Sequence, residues 1–234
     1  MNEYSGIIRE NIGNITEKIR LAAERSGRNP QDITIIAVTK TIEPERIKTA
    51  IDTGLYDLGE NRVQELCEKY DNIDRACRWH LIGHLQTNKV KYIIDKIHMI
   101  HSVDRLELAQ EIQKRAERAG RVINVLVQVN VAKEETKFGI HEEQVIELVK
   151  NLSYLGNIKV KGLMTIAPFT ETSEEVRHIF RGLRKLLIDI RGENIDNIDM
   201  DFLSMGMSND FEVAVEEGSN MVRIGTAIFG HRQK

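Results

Sequence analysis

Three short stretches carry residues able to do covalent or anion-binding chemistry. The run AVTK ends on Lys40. Strand alternation puts Lys40 on the face of Ile36 and Val38, so if those two point into a core, the amine points into its opening. Partial desolvation there favours the neutral, nucleophilic amine, although a lysine snorkelling from a strand end into solvent gives the same spacing. The run MVRIGT brings Arg223, Gly225 and Thr226 together, a fixed cation, a backbone open to close approach and a hydroxyl donor. In SMGMSND, Ser204 and Ser208 flank Gly206 ahead of a helical stretch, a pattern that serves an anion through backbone N–H groups. Equally, Ser208 reads as an N-cap, Gly206 and Gly225 as turn glycines, and Asp210 and Glu212 as dipole partners.

Other constellations are set aside. His80 and His84 have i, i+4 spacing, but one belongs to a strand end and the other to a loop, with no HExxH glutamate between them, so no metal is expected. His98, His101, His141, His178 and His231 are scattered and read as structural or exposed. There is no GxGxxG after the first strand and no Walker-type loop.

The elements that must position these residues alternate regularly. Apolar residues at helical spacing over 2–26 (Ile8, Ile12, Ile15, Ile19) predict a helix that Gly27 and Pro30 end. Strands are then expected at 33–38, 56–59, 79–82, 97–103, 122–129, 158–166, 202–205 and 221–224. Helical stretches follow them from Pro44, over 63–70 and 87–94, over 106–119 with Asp104 as cap, and over 142–152, 173–191, 209–217 and 227–234. Eight such units in 234 residues point to an α/β protein with a closed (β/α)8 TIM barrel, in which working residues sit at the C-terminal ends of the strands. With three prolines and no Gly/Ser linker, one domain spanning 1–234 is expected, its N-terminal helix (1–27) packed on the barrel.

Composition narrows the partners. With 33 Lys+Arg against 36 Asp+Glu, the formal charge is −3, which gives no reason to expect nucleic acid or an anionic membrane. No apolar run approaches the ~20 residues that span a bilayer, and no secretory leader is recognisable. Cys67 and Cys77 form no CxxC and read as free thiols, so a cytoplasmic protein is expected.

Taken in order, AVTK, GEN (59–61), WHLIGHLQTNK (79–89), SVD (102–104), VNVAKEETKFG, GLMTIAP (162–168), LSMGMSND and VRIGTAIFG look like the pyridoxal phosphate homeostasis protein family. That family is a single-domain relative of the alanine racemase N-terminal barrel, of fold type III among proteins that bind pyridoxal 5'-phosphate (PLP). The family often has serine where this chain has Thr39. The resemblance implies PLP as cofactor, Lys40 as its Schiff-base lysine and Arg223 as partner of the pyridine nitrogen. It makes Ser208, Gly225 and Thr226 phosphate ligands, with Ser204 and Met205 lining the same edge. Asn61 would lie by the ring near its hydroxyl, His80 and Ile82 would line the pocket, and Met164 is a further candidate from strand six.

The implied function is a non-catalytic protein of PLP homeostasis that buffers the cofactor or delivers it, with apo PLP-dependent enzymes as transient partners. The alternatives are a small racemase- or decarboxylase-like enzyme, and a barrel that binds a phosphorylated metabolite without a Schiff base. Arg223 argues against the enzyme: a guanidinium only donates, so the ring nitrogen must stay unprotonated and makes a weak electron sink. Racemisation also needs a second base, in the racemases a tyrosine of a further domain, and none of Tyr4, Tyr56, Tyr70, Tyr92 and Tyr154 falls at a strand's C-terminal end. The chain ends soon after strand eight, so a monomer or weak dimer is expected. The loop 132–139 either covers the pocket or is only solvated.

Overall fold

The computed structural model describes residues 3–132 and 138–230. Eight parallel strands pair in chain order and close on themselves, β1 (Thr34–Val38) against β8 (Met221–Ile224). Between them run β2 (Asp57–Glu60), β3 (Arg78–Leu81), β4 (Ile97–Val103), β5 (Ile123–Gln128), β6 (Ile158–Met164) and β7 (Ile198–Ser204). The helical layer comprises α1 (Glu3–Arg25), α2 (Pro44–Ile51), α3 (Val63–Asn72), α4 (Leu106–Arg118), α5 (Glu142–Ser153), α6 (Arg177–Gly192), α7 (Phe211–Glu216) and α8 (Thr226–Phe229). The expected TIM barrel is the observed one.

Period-two alternation decides what fills it. Outward residues such as Ala37, Leu58, Leu81, Val125, Val127 and Leu203 join the helices in the main core. Inward residues form a separate apolar plug of Ile36, Met99, Leu126, Met164 and Met221, with Phe202 and Ile166 at its edge. Helix α1 buries Ile8, Ile12, Ile15, Ile19, Ala22 and Ala23 against α2, α7 and α8, across the barrel closure. Asn11 Nδ2 donates to the Ile228 carbonyl there at 3.0 Å.

Some local expectations differ from what forms. Residues Thr87–Tyr92 and Ser173–Val176 wind as 3-10 turns rather than α-helix. Asp104 does not cap α4: Arg105 holds the cap position, and Asp104 Oδ1 instead accepts from Arg105 Nη1 at 2.6 Å. Helix α7 starts at Phe211, two residues later than expected, because Met207–Asp210 form a turn with Gly206 at φ +94°. Strand β7 begins four residues earlier than its apolar run, because Asp199 and Asp201 are neutralised across the sheet by Lys159 and Lys161 of β6 at 2.8–3.0 Å. The expected helix over 227–234 is the single turn α8, and residues 231–234 lie outside the described ones.

The β6–β7 register shifts between Val160 and Gly162. Gly162 sits at φ +152°, and a Cβ there would lie 1.9 Å from the Phe202 carbonyl oxygen. Gly162→Ala should therefore cost on the order of 3 kcal/mol. A urea midpoint close to that of the parent protein would contradict this tight β6–β7 contact.

Candidate functional site

A cavity of ≈ 660 Å³ opens at the C-terminal ends of the strands, a volume that suits a small-molecule site. Lys40, Asn61, Ile82, Ser208, Arg223, Gly225 and Thr226 all line it. Closure of the barrel brings them together, since the β1–β8 register sets Ala37 opposite Ile224 and the turns beyond both strands face each other.

The turn that carries Lys40 is fixed from below. Thr39 Oγ1 donates to Glu60 Oε1 at 2.7 Å, and Lys69 Nζ bonds that same oxygen at 2.6 Å and the Thr39 carbonyl at 2.7 Å. On the far side of Lys40, the Thr41 N–H donates to Glu65 Oε2 at 2.8 Å, and Lys69 reaches the same carboxylate at 3.3 Å. Thr41 sits at φ +62°, a costly conformation for a β-branched residue that these bonds hold in place. Burial raises the Glu60 carboxyl's pKa, opposed by the bonds from Lys69 and Thr39. What this position uses is the hydroxyl of Thr39. The Glu60–Lys69 pair went unforeseen: Glu60 falls just beyond the expected strand 56–59 and is the last residue of β2.

Arg223 projects from β8 into the barrel and is almost wholly buried. Its Nη1 donates to Ser204 Oγ at 2.6 Å and its Nη2 to the Thr165 carbonyl at 2.7 Å. Burial lowers its pKa to about 10, partly offset by Asp210, so it stays a cation at neutral pH. A guanidinium carries five N–H donors, so these two bonds leave donors for the cavity.

Ser208 and Thr226 place hydroxyls on one flank of the cavity, and Ser208 Oγ also accepts from the Ala227 N–H at 3.3 Å. The backbone N–H groups of Ser208, Asn209 and Thr226 meet no acceptor among the described residues. Two hydroxyls and several outward N–H groups together form a donor-rich flank suited to an anion. Gly225 is needed for packing as well, since a Cβ there would lie 3.3 Å from the Val38 Cβ.

Four expected lining residues lie elsewhere. Met205 is one residue out of phase with Ser204, so it points outward into the helical core. Met164 points inward but belongs to the apolar plug. Ser204 is fully buried and bonds Arg223 rather than standing on the phosphate flank. His80 is also fully buried, its Nε2 2.9 Å from Asp57 Oδ1 and its Nδ1 2.9 Å from His101 Nε2, while His101 Nδ1 lies 3.0 Å from Ser204 Oγ. His101 is thus part of this polar interior rather than a scattered residue. Among the described residues, no group of three His, Cys, Asp or Glu side chains is placed to hold a metal.

The cavity also uses residues not foreseen. His84 lines it and stacks on Phe138 with ring centroids 4.0 Å apart, and Ile166 and Phe169 come from the loop after β6. Phe138 begins the second described segment. Residues 133–137, on which the expected pocket cover depends, lie outside the described ones.

The model of the alanine racemase N-terminal domain family matches residues 11–233. A pyridoxal phosphate homeostasis protein of Aquifex aeolicus is 48% identical over 96% of this chain and 98% of its own length. The Pseudomonas aeruginosa protein of that name is 39% identical over 96% of each chain. Among solved structures, PipY of Synechococcus elongatus with PLP bound is similar at TM-score 0.80 and 33% identity, over 92% of this chain and all of that one. An alanine racemase of Clostridium difficile shares the fold at TM-score 0.76 and 19% identity, over 98% of this chain and 58% of that one.

The Asp57 carboxylate has a consequence for stability. Burial would raise its pKa, but bonds from His80 and Arg78 prevail and lower it to about 2, from a reference near 3.8. The lowered value adds about 2 kcal/mol of stability, present in full above the unfolded pKa and lost as pH falls from ~4 through ~2. Denaturant midpoints measured from pH 6 to pH 2 should fall more steeply for the parent than for Asp57→Asn, and parallel curves would refute the assignment.

Proposed function

The chain belongs to the pyridoxal phosphate homeostasis protein family, and on that premise we propose that it binds PLP at the barrel mouth and buffers or delivers it without turning over a substrate. The observation that carries this reading is convergence: the amine of Lys40, the guanidinium of Arg223 and the donor flank of Ser208 and Thr226 line one cavity. Those donors suit the cofactor's chemistry: a phosphate meets hydroxyls and N–H groups, and a pyridine nitrogen meets a pure donor. When bound, PLP supplies an aldehyde that a primary amine can capture.

Lys40 is the residue we assign to that capture, on a turn that Thr39, Glu60, Lys69 and Glu65 keep in place. Arg223 would donate to the ring nitrogen and could leave no proton on it, so the bound cofactor would supply only a weak electron sink. The five tyrosines that might act as a second base lie outside the cavity lining and are exposed. Asn61 and Ile82 line the same cavity and would border the ring.

The proposal extends to a monomer or weak dimer, and to a cytoplasmic protein in transient contact with apo PLP-dependent enzymes. Among the described residues, no helix is long and apolar enough to cross a membrane. Light scattering that shows a tight, concentration-independent dimer would contradict the oligomeric part.

Borohydride reduction of the PLP-loaded protein, followed by peptide mass spectrometry, should find the pyridoxyl group on Lys40; another lysine, or none, would overturn the assignment. Ser208→Ala and Thr226→Val each remove one bond to a charged group, worth ~1.5–3 kcal/mol, so PLP affinity should fall about tenfold or more. Unchanged affinity in both would move the phosphate elsewhere. Incubation with L-amino acids in deuterium oxide should show no α-proton exchange at an ordinary enzyme rate of ~1 s⁻¹. Exchange that fast would establish an enzyme.

A further inference from the structure

Polar side chains run unbroken through the barrel from its floor to the cavity. At the floor, Arg78 Nε and Nη2 donate to the two oxygens of Asp57 at 2.7 and 2.5 Å. From Asp57 the contacts pass through His80, His101 and Ser204 to Arg223, each link between 2.6 and 3.0 Å. Asp57, His80, His101, Ser204 and Arg223 are all buried.

We propose that His80 and His101 are positioning residues of the cofactor site, acting through Ser204 to hold the Arg223 guanidinium in the attitude that faces the ring. The inference rests on the PLP-binding reading above for its ligand, but its internal logic belongs to the chain alone.

The two ends of the row have fixed roles. Arg223 can only donate, and the Asp57 carboxylate can only accept. Four links join them, and one arrangement of protons satisfies all four with both imidazoles neutral. Arg223 Nη1–H donates to Ser204 Oγ, and the Ser204 hydroxyl donates to His101 Nδ1. His101 Nε2–H then donates to His80 Nδ1, and His80 Nε2–H donates to Asp57. Both histidines are therefore Nε2–H tautomers. Switching either one sets lone pair against lone pair, or proton against proton, at a buried link. Burial, then the nearby Arg223 cation, also keeps His101 well below its ordinary pKa and so neutral.

The row decides which way Ser204 points. Because His101 takes the hydroxyl proton, the oxygen's lone pairs are left for Arg223. Together with the Thr165 carbonyl this gives the guanidinium two fixed acceptors and aims its spare N–H groups at the cavity. With His101 unable to accept, the Ser204 hydroxyl is free to turn, and Arg223 loses one of its two restraints. A side chain on the barrel floor thereby influences a ring-binding residue it never touches.

The test uses the full chain. In ¹⁵N-histidine-labelled protein without PLP, long-range proton–nitrogen NMR should show His80 and His101 as Nε2–H tautomers. PLP is then titrated by absorbance into the parent, His101→Phe and Asp57→Asn, with Lys161→Gln as a control at the same end of the barrel but off the row. His101→Phe should weaken PLP roughly three- to tenfold and shift the bound absorption band, as expected for loss of one restraining hydrogen bond. Asp57→Asn should admit the second tautomer of His80 and weaken PLP in the same direction, while Lys161→Gln changes neither readout. Thermal unfolding without PLP checks that each variant folds, and Ser204→Ala replaces His101→Phe if the latter does not. A dominant Nδ1–H form at either histidine, or folded variants with the parent's affinity and band, would overturn the proposal. Failure of the parent to bind PLP would instead overturn the functional reading, and the tautomers would still decide the hydrogen-bond row.

Discussion

The pairing of β1 with β8 is the constraint on which everything else depends. Until those strands meet, Lys40 and Thr226 belong to opposite ends of the chain. Once Ile36 pairs with Arg223 and Ala37 with Ile224, the turns after both strands are neighbours. Closure also removes the sheet's free edges and buries one face of every strand inside the barrel. Helix α1 strengthens the seam from outside, packing where the first and last helices of the barrel adjoin.

Closure creates an interior that must be filled, and this chain fills it in two ways. Five apolar side chains form the plug, and a row of polar ones passes beside it. Buried polar groups are tolerated only when paired, and here each is used by its neighbour. Gly59 helps make the room: a Cβ there would lie 2.9 Å from Ile36 Cγ2 and 3.0 Å from Ile82 Cδ1. On the outer side of β2 the buried Glu60 and Lys69 pair with each other, and Lys69 also bonds the Thr39 carbonyl while Glu60 Oε1 accepts from the Thr39 hydroxyl. Rigidity at the mouth thus comes from polar groups that never face the ligand.

Much of this was legible in the amino-acid sequence because strands repeat every two residues. Alternation from Ile36 through Val38 to Lys40 was enough to aim the lysine at a mouth, and MVRIGT brought Arg223, Gly225 and Thr226 to the same end. The resemblance put Met205 beside Ser204 on the cavity edge, but alternation turns it outward because Ser204 faces in. Alternation gives a side chain's face but not its depth, so it could not tell that Met164 stops in the plug or that His80 sits below the cavity.

The sequence by itself determined the eight strand–helix units, the barrel, the family and the placing of Lys40 at the strand end that borders the cavity, because periodicity, turn residues and ordered motifs are local properties. Only the tertiary structure decided the partners: Lys69 under Lys40, His101 beneath Ser204, His84 against Phe138. Those contacts join residues 30 to 103 positions apart in the chain. They depend on strand register and on the depth at which each side chain enters the barrel, quantities that exist only once the sheet has closed.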